Sequence, residues 1–256
     1  MQFATWNVNS LKIRLPQVLE WLAANPQITA LGLQETKLED HAFPQAEIEA
    51  AGFHVVFAGQ KTYNGVAIIA RAPLEEVVVN IPGFGDEQKR VIAATVNGIR
   101  FVCAYIPNGQ SLDSDKYGYK LNWLKAFTDW LQAELVSHPQ LILGGDYNIA
   151  PEDRDVHDPA KWEGQVLVSG PERSAFRQLV ALGLTDSFRL FDQAEKSFSW
   201  WDYRMYGFKR NAGLRIDHLL VSAALKDRII ACSIDKEPRR HERPSDHTPV
   251  IVTLAD

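Results

Sequence analysis

The hydrophobic pattern of the chain consists of short apolar runs that alternate with amphipathic stretches. Runs rich in valine and isoleucine predict strands, and Asn97-Gly98 predicts a two-residue hairpin turn between two of them. Leucine and phenylalanine recur at helical spacing from Leu121 to Leu135, which predicts a long amphipathic helix with Trp123 and Trp130 packing at its edges. The other predicted helices cover residues 15–24, 47–51 and 174–182, and the predicted strands cover residues 3–7, 28–34, 55–58, 66–70, 77–81, 91–96, 99–105, 214–222, 229–234 and 250–254.

The order of these elements indicates the fold class. Antiparallel strand groups capped by helices recur in both halves of the chain, and no linker, low-complexity tract or charge block separates the halves. We therefore expect an α/β fold, a four-layer sandwich in which two mixed, mostly antiparallel β-sheets pack face to face and are flanked by helices. Residues 1–256 are expected to form a single catalytic domain.

The composition is that of a globular protein with a large core: of 256 residues, 46% are hydrophobic and 23% are charged. The first residues enter a strand-like run, and no stretch of about 18 consecutive apolar residues occurs, so we expect neither a signal peptide nor a membrane span. A cytoplasmic monomer is the default expectation. Cys103 and Cys232 lie in apolar runs without metal-ligand spacing, which predicts two inert core thiols.

The net charge argues against a protein that holds nucleic acid by its overall electrostatic field, since it is -5 at pH 7. A local basic rim can still bind a phosphate backbone, and an acidic metal site accounts for part of the negative charge. Most scattered basic residues are simply solvated surface. The candidates for a rim are Lys12, Arg14, Lys61, Lys116, Lys120, Lys209, Arg210, Arg239, Arg240 and Arg243.

The stretch over residues 141–151 carries the most informative local motif. An apolar run reaches Gly144-Gly145 and then presents Asp146 and Asn148 before Pro151 closes the segment. Side chains two residues apart in extended backbone point to the same side, so Asp146 and Asn148 can converge on one small group. The alternative is an ordinary Asx turn, in which both side chains bond only the nearby backbone.

Further polar residues occur in the same kind of place, at or just beyond the end of an apolar run. Loops at one end of a sandwich bring such residues together, whereas the alternative requires a series of independent surface accidents. This recurrence predicts one active site at the strand ends. Its members are Asn7, Glu35, Tyr105, Asp146, Asn148, Asp217, Asp246 and His247.

Seven blocks in the chain resemble, in the same order, the signature blocks of the exonuclease III family of abasic-site endonucleases. The resemblance spans nearly the whole chain and implies the two-sheet sandwich, a divalent cation, and phosphodiester hydrolysis in base-excision repair on duplex DNA with an abasic site or a 3′ terminus. The blocks are Trp6-Asn7-Val8-Asn9, Leu33-Gln34-Glu35-Thr36-Lys37, Tyr105-Ile106-Pro107-Asn108-Gly109, Gly145-Asp146-Tyr147-Asn148-Ile149-Ala150-Pro151, Ser199-Trp200-Trp201-Asp202-Tyr203, Leu214-Arg215-Ile216-Asp217 and Pro244-Ser245-Asp246-His247-Thr248-Pro249-Val250.

Hydrolysis of a phosphodiester needs a base for the attacking water and positive charge on the non-bridging oxygens. Asp146 is the candidate base, with Asn148 and Asn7 orienting the water or the phosphate. Glu35 offers the hard oxygen ligand that Mg²⁺ or Mn²⁺ prefers. Asn7 and Asp246 are candidate outer ligands of the same cation.

His247 is expected to donate a hydrogen bond to a phosphoryl oxygen, and a catalytic histidine usually needs a carboxylate that fixes its tautomer. Asp217 is the candidate for that carboxylate. His218 is expected to have no catalytic role, because its side chain should point away from that of Asp217. Tyr105 can bond a phosphate or leaving oxygen, and Asn108 supports it.

The loop over residues 202–213, which includes Arg204, combines glycines, aromatics and basic residues that suit insertion beside a duplex. Similarity to the family implies that Trp200, Leu214 and Ile216 line a small apolar pocket for a base-less or frayed sugar. The alternative is that these three side chains are core residues at the edge of the sandwich.

Ser111 stands where some family members carry an arginine that intrudes into the DNA helix, and a serine cannot do this. Asn9 stands where some relatives have aspartate, so a second acidic metal ligand is not expected there. His157 lies in the loop after Asn148 and is a candidate DNA contact.

Two other functions fit part of this sequence pattern less well. A catalytically inactive DNA-binding module would lack a catalytic residue, and none is missing here. A phosphoinositide phosphatase or sphingomyelinase should carry an apolar or polybasic membrane-docking segment, which the sequence does not show. Such an enzyme would share the candidate residues Glu35, Asp146, Asn148 and His247.

Overall fold

Residues 1–255 are described by a computed structural model of the protein. The α-helices are α1 (Leu11–Ala24), α2 (Gln45–Ala50), α3 (Asp115–Ser137), α4 (Pro159–Trp162), α5 (Gly170–Ala181) and α6 (Ala223–Lys226). The strands are β1 (Gln2–Asn7), β2 (Ile28–Gln34), β3 (His54–Ala58), β4 (Val66–Ala70), β5 (Glu75–Val79), β6 (Val91–Val96), β7 (Ile99–Tyr105), β8 (Leu141–Asp146), β9 (Leu184–Asp186), β10 (Trp200–Trp201), β11 (Gly213–Leu214), β12 (Asp217–Ser222), β13 (Ile229–Ile234) and β14 (Val250–Leu254).

The strands form two six-stranded sheets and a two-stranded ribbon of β10 and β11. The first sheet has the order β13-β14-β1-β2-β4-β3, and the second has the order β5-β6-β7-β8-β12-β9. Each large sheet contains one parallel pair at its centre, β1 with β2 and β7 with β8, and its other neighbours are antiparallel. The prediction of two mixed, mostly antiparallel sheets is therefore confirmed.

The hydrophobic core is divided into layers by these sheets. Phe3 of the first sheet and Phe101 of the second meet edge to face with ring centroids 5.3 Å apart, inside the core between the sheets. On the outer face of the first sheet, Leu11 and Trp21 of α1 pack against the strands. On the outer face of the second sheet, Phe127 of α3 does the same together with residues of α5. The predicted four layers are thus present.

The two parallel strand pairs determine where the candidate site residues meet. Strands that run in the same direction end at the same edge of a sheet. Asn7 ends β1 beside Gln34, the last residue of β2, and Tyr105 ends β7 beside Asp146, the last residue of β8. Nδ2 of Asn7 donates to Oδ2 of Asp146 across the two sheets at 2.9 Å, so both pairs of strand ends lie at one end of the sandwich.

Several elements differ in length from their predicted bounds. Helix α1 begins at Leu11 rather than at residue 15, because the fully buried Leu11 side chain packs its first turn into the outer core. The strand predicted over residues 214–222 is interrupted at Arg215 and Ile216, where the Arg215 amide donates to the carbonyl of Asp155 instead of to a strand. Within residues 1–255, no helix is long and apolar enough to cross a membrane.

Candidate active site

Asp146 lies at the centre of the polar cluster and is almost fully buried. Its Oδ2 accepts a hydrogen bond from Nδ2 of Asn7 at 2.9 Å, and its Oδ1 accepts one from the backbone amide of Asn148 at 2.9 Å. The preceding residue must be small, since a Cβ atom on Gly145 would lie 2.0 Å from the carbonyl oxygen of Ala104. Gly145 thus lets β7 and β8 approach and fixes the position of the Asp146 carboxylate.

His247 connects Asp146 to a second carboxylate. Its Nδ1 donates to Oδ2 of Asp217 at 2.9 Å, and its Nε2 lies 3.6 Å from Oδ2 of Asp146. Asp217 reaches this place because it pairs directly with Asp146 in the β8–β12 ladder. Ser199, which the sequence analysis did not assign, donates from its Oγ to Oδ2 of Asp217 at 2.7 Å and so holds that carboxylate. The only sequence signal for Ser199 is its place in the fifth motif block.

The protonation states follow from burial and from these neighbours. Burial raises the pKa of Asp146 to about 7, and the charge of Asp217 acts in the same direction against the opposing effect of His247. For His247, burial alone lowers the pKa, but the carboxylates of Asp217 and Asp146 outweigh burial and raise it to about 10. Near neutral pH, therefore, His247 is an imidazolium ion and Asp146 can exchange a proton.

Glu35 supplies the third charged group of the cluster. Ligand atoms of Glu35, Asp146 and His247 all lie within 4.8 Å of one another. Asn7 connects two of them, because its Nδ2 also donates to Oε1 of Glu35 at 2.8 Å. Two carboxylates, one of them only partly buried, provide the hard oxygen donors that suit a small divalent cation. The residues present therefore fit such an ion.

Asp246 lies beside this group but not within it. Its Oδ1 accepts from Asn9 at 3.0 Å and its Oδ2 accepts from the indole nitrogen of Trp200 at 2.9 Å. Lys37, which the sequence analysis also left unassigned, bridges the two regions, since its Nζ lies 2.6 Å from Oδ1 of Asn9 and 3.0 Å from Oε2 of Glu35. This arrangement links Asp246 to Glu35 through neutral and cationic side chains.

Tyr105 and Asn108 form the side of the cluster next to Asn148. Burial, together with the nearby carboxylates of Glu35 and Asp146, raises the pKa of Tyr105 well above its ordinary value. The phenol therefore keeps its proton and can donate it in a hydrogen bond. Nδ2 of Asn108 donates to Oδ1 of Asn148 at 3.1 Å, so the amide side chains of the two loops are joined.

The backbone at the site is unusual. Asn9, Glu35, Lys37 and Asn148 all have positive φ angles, of 43°, 54°, 56° and 49°. Asparagine tolerates the left-handed region, but glutamate and lysine adopt it rarely and at an energetic cost. The turn after β2 therefore holds Glu35 and Lys37 in conformations that only the surrounding structure can maintain. No sequence pattern indicated this strain.

The residues assigned to a sugar pocket are divided between core and surface. Leu214 and Ile216 are buried in a small separate apolar cluster with Ala150 and Leu167. Trp200 packs at the edge of this cluster. It also lines a groove of about 670 Å³, together with residues that include Asn108, His157 and Arg204.

The basic residues are less uniform than expected. Lys61 and Arg204 are exposed, and Arg204 is paired with Asp202. The expectation of a surface rim is wrong for Arg14, Lys120 and Arg239, which are buried and whose charged groups donate to backbone carbonyls.

His218 points away from the cluster as expected. Its side chain lies on the other face of the second sheet, between Tyr147 and Phe176. It makes no hydrogen bond to Asp146, Asp217 or His247 within the described chain.

Comparison with known proteins agrees with this geometry. A model of the Endonuclease/Exonuclease/phosphatase family matches residues 4–247. The exodeoxyribonuclease III of Haemophilus influenzae is 35% identical over 263 aligned residues, which cover 98% of each chain. A 3′ phosphatase from Neisseria, solved with a product DNA hairpin, superposes with a TM-score of 0.98 at 46% identity, and an AP endonuclease from Archaeoglobus fulgidus does so with 0.96 at 36%; both alignments cover 100% of each chain. The chain therefore belongs to the Endonuclease/Exonuclease/phosphatase family, in the group that contains the exodeoxyribonuclease III relatives, as its seven motif blocks had predicted.

Proposed function

We propose that the protein is a divalent-metal-dependent phosphodiesterase of DNA repair that acts on abasic sites and 3′ ends of duplex DNA. The observation that carries this proposal is the arrangement of His247 between two carboxylates, Asp217 at 2.9 Å and Asp146 at 3.6 Å. The relatives support the choice of substrate, since they include an exodeoxyribonuclease, a 3′ phosphatase and an AP endonuclease. None of these three names indicates a lipid phosphatase.

Asp146 acts as the general base for the attacking water. A base works best when its pKa lies near the working pH, and burial raises the pKa of Asp146 to about 7. Asn7 and the amide of Asn148 each bond one oxygen of the carboxylate. These two contacts keep the carboxylate in one orientation, so that its basic lone pair points to the position of the water.

His247 and Tyr105 stabilise the charge that develops on the phosphoryl group. The imidazolium of His247 is fixed by Asp217 through Nδ1, which leaves Nε2–H free to donate to a phosphoryl oxygen. Tyr105 donates its phenolic proton to a phosphate or leaving oxygen, because its raised pKa keeps it protonated. Asn148 and Asn108 complete the wall on this side of the phosphate.

Glu35 would hold the divalent cation, Mg²⁺ or Mn²⁺, with Asn7 and Asp246 as outer partners. When bound, such an ion would act as a Lewis acid and stabilise negative charge on the phosphoryl oxygens and the leaving oxygen. Oδ1 of Asp246 accepts a hydrogen bond from Asn9 and Oδ2 accepts one from Trp200, which supports an outer position for this carboxylate.

The DNA partner is recognised at the groove that Trp200 lines. The sugar lies against Trp200, which packs on the buried cluster of Leu214 and Ile216, while exposed basic residues such as Lys61 and Arg204 contact the phosphate backbone. The protein works as a monomer on one duplex, and a cytoplasmic location remains the expectation from the sequence.

The test uses three duplexes, with an abasic site, a recessed 3′ end and a 3′-phosphate, each with Mg²⁺ or with EDTA. We expect metal-dependent cleavage of at least one duplex. Asp146→Asn should lower the rate by about a hundredfold or more while DNA binding persists, since general-base effects are of that size. Glu35→Ala should raise the Mg²⁺ concentration needed for half-maximal rate. No metal-dependent cleavage of any duplex by the wild-type protein would overturn the proposal, and near-normal turnover by Asp146→Asn would exclude Asp146 as the base.

A further inference from the structure

A buried ion pair lies directly behind the polar cluster. Lys120 of α3 and Glu172 of α5 are both fully inaccessible to solvent, and Nζ of Lys120 contacts Oε1 of Glu172. Removing two charges from water is costly, and a buried pair often stabilises a fold no better than well-packed apolar side chains would. What these two side chains hold in place is therefore more informative than their mutual attraction.

The Lys120 ammonium group joins the two loops that carry the asparagine side chains of the site. It donates to the backbone carbonyl of Asn148 at 2.6 Å and to that of Asn108 at 3.1 Å, in addition to Glu172. An ammonium group has three hydrogens, so all of its donors are used. On the opposite side of the same two loops, the side chains of Asn108 and Asn148 bond each other. The loops are thus tied together at two levels.

This connection reaches Asp146 through one residue. Asn148 has a positive φ of 49°, and its amide donates to Oδ1 of Asp146 at 2.9 Å. With its carbonyl bound to Lys120 and its side chain bound to the carbonyl of Ile106 at 2.9 Å, Asn148 has little freedom to rotate. The Lys120 contact is thus one of the restraints on the direction of this amide, which bonds the Asp146 carboxylate.

Glu172 extends the connection toward the apolar cluster beside Trp200. Its Oε1 accepts from the amide of Leu167 at 3.0 Å, and its Oε2 accepts from the amide and Oγ of Ser169 at 3.1 and 2.6 Å. Leu167 in turn accepts a hydrogen bond from the amide of Ala150 at 2.8 Å and packs in the cluster with Leu214. The carboxylate therefore fixes the segment that faces the assigned sugar pocket.

We propose that Lys120 and Glu172 are positioning residues: together they align Asn148, and through it Asp146, with the apolar pocket that receives the sugar. The inference rests on the proposed function for the identity of the reaction, but the contacts are independent of it. Neither residue touches the substrate. Their loss therefore lowers turnover more than it weakens DNA binding.

The test replaces the pair without leaving a buried charge. In Lys120→Met with Glu172→Gln, the single oxygen of the glutamine can still accept from Ser169, while the carbonyls of Asn108 and Asn148 lose the Lys120 donor. The matched control is Lys125→Met with Asp129→Asn, which removes an exposed ion pair from the same helix α3. Assays are run at a temperature where circular dichroism shows each variant to be folded.

We expect kcat of the buried double variant to fall by about tenfold or more, the usual effect of removing such supporting contacts, with KM for DNA changed less than about threefold. The exposed double variant should keep wild-type kcat. A folded buried double variant with wild-type kcat would show that the pair is only structural and would overturn the inference. An inactive wild-type protein would instead refute the proposed function.

A measurement on the wild-type protein covers the case in which the variant does not fold. A fully bonded ammonium group exchanges its hydrogens slowly, so Lys120 should give a protected side-chain signal in a ¹H–¹⁵N spectrum, with nuclear Overhauser effects to the loops at Asn108 and Asn148. An ammonium signal lost to rapid exchange would overturn the inference without any variant.

Discussion

Acidification is expected to destabilise the protein through His218, a buried imidazole that the fold holds neutral. Its Nε2 lies 2.9 Å from the carbonyl oxygen of Ile149 and therefore carries the hydrogen. Its Nδ1 lies 3.0 Å from a guanidinium nitrogen of Arg215, a group that can only donate, so Nδ1 must accept and cannot bind a proton. Burial and the Arg215 charge lower the pKa of His218 from 6.5 to about 4.

The magnitude follows from this difference in proton affinity. The unfolded chain protonates His218 below its ordinary pKa of 6.5, whereas the folded protein does so only near 4. The stabilising effect is therefore fully present above pH 6.5 and is lost as the pH falls toward 4. At about 1.4 kcal/mol per pKa unit, the loss is about 2 kcal/mol at about pH 5 and about 3 kcal/mol at about pH 4.

The assay is urea unfolding at a series of pH values between about 7.5 and 5, for the wild type and for His218→Gln. Glutamine can accept from Arg215 and donate to Ile149 but does not titrate in this range. Carboxylates contribute equally to both proteins, so the difference between the two pH dependences isolates His218. We expect the wild type to lose about 2 kcal/mol more than the variant. Identical pH dependences would refute the assignment of a neutral, buried His218.

Two further predictions concern Leu214 and Trp200, the buried and the groove-lining members of the candidate sugar pocket. Leu214→Ala should lower the free energy of unfolding by about 2–5 kcal/mol, because Leu214 is fully buried in its apolar cluster; an unchanged melting temperature in a thermal scan would instead favour a loosely packed pocket wall. Trp200→Phe keeps an aromatic ring but removes the indole hydrogen bond to Asp246. This variant should therefore raise the Mg²⁺ concentration for half-maximal DNA cleavage several-fold. An unaltered titration would exclude Asp246 from the outer shell of the metal.

Most of the sheet structure could be predicted from local sequence. The predicted bounds of β2, β4, β6, β7, β13 and β14 coincide with the observed strands. For β2, β4, β6 and β7, the reason is that a mainly apolar run buried on both faces begins and ends with the strand itself, whereas β13 and β14 leave part of their residues exposed or half-buried. The hairpin turn at Asn97 and Gly98 is also confirmed, as both residues have the positive φ that a type I′ turn requires.

Helix boundaries and buried charges were harder to predict from the sequence, because they depend on residues distant in the chain. The start of α1 is fixed by the packing of Leu11 against the first sheet, which no local pattern reveals. Lys120 has the sequence environment of an exposed basic residue on an amphipathic helix. Only the meeting of α3 with α5 places Glu172 and the Asn148 carbonyl within reach of its amine.

The residues of the candidate site could be predicted from the sequence for a different reason, since each of them marks the end of an apolar run. Their individual roles, however, cannot be inferred from such positions. Asp146 and Asp217 are both buried aspartates beside the single imidazole of His247. The environment distinguishes them. Asp217 accepts hydrogen bonds from Nδ1 of His247 and from Oγ of Ser199. Oδ2 of Asp146 lies farther from the ring, 3.6 Å from Nε2 of His247, and belongs to the group of ligand atoms that includes Glu35. Two carboxylates placed in such different surroundings suit different roles, and this difference supports the proposal that Asp146, which does not bond Ser199 or Nδ1 of His247, is the general base.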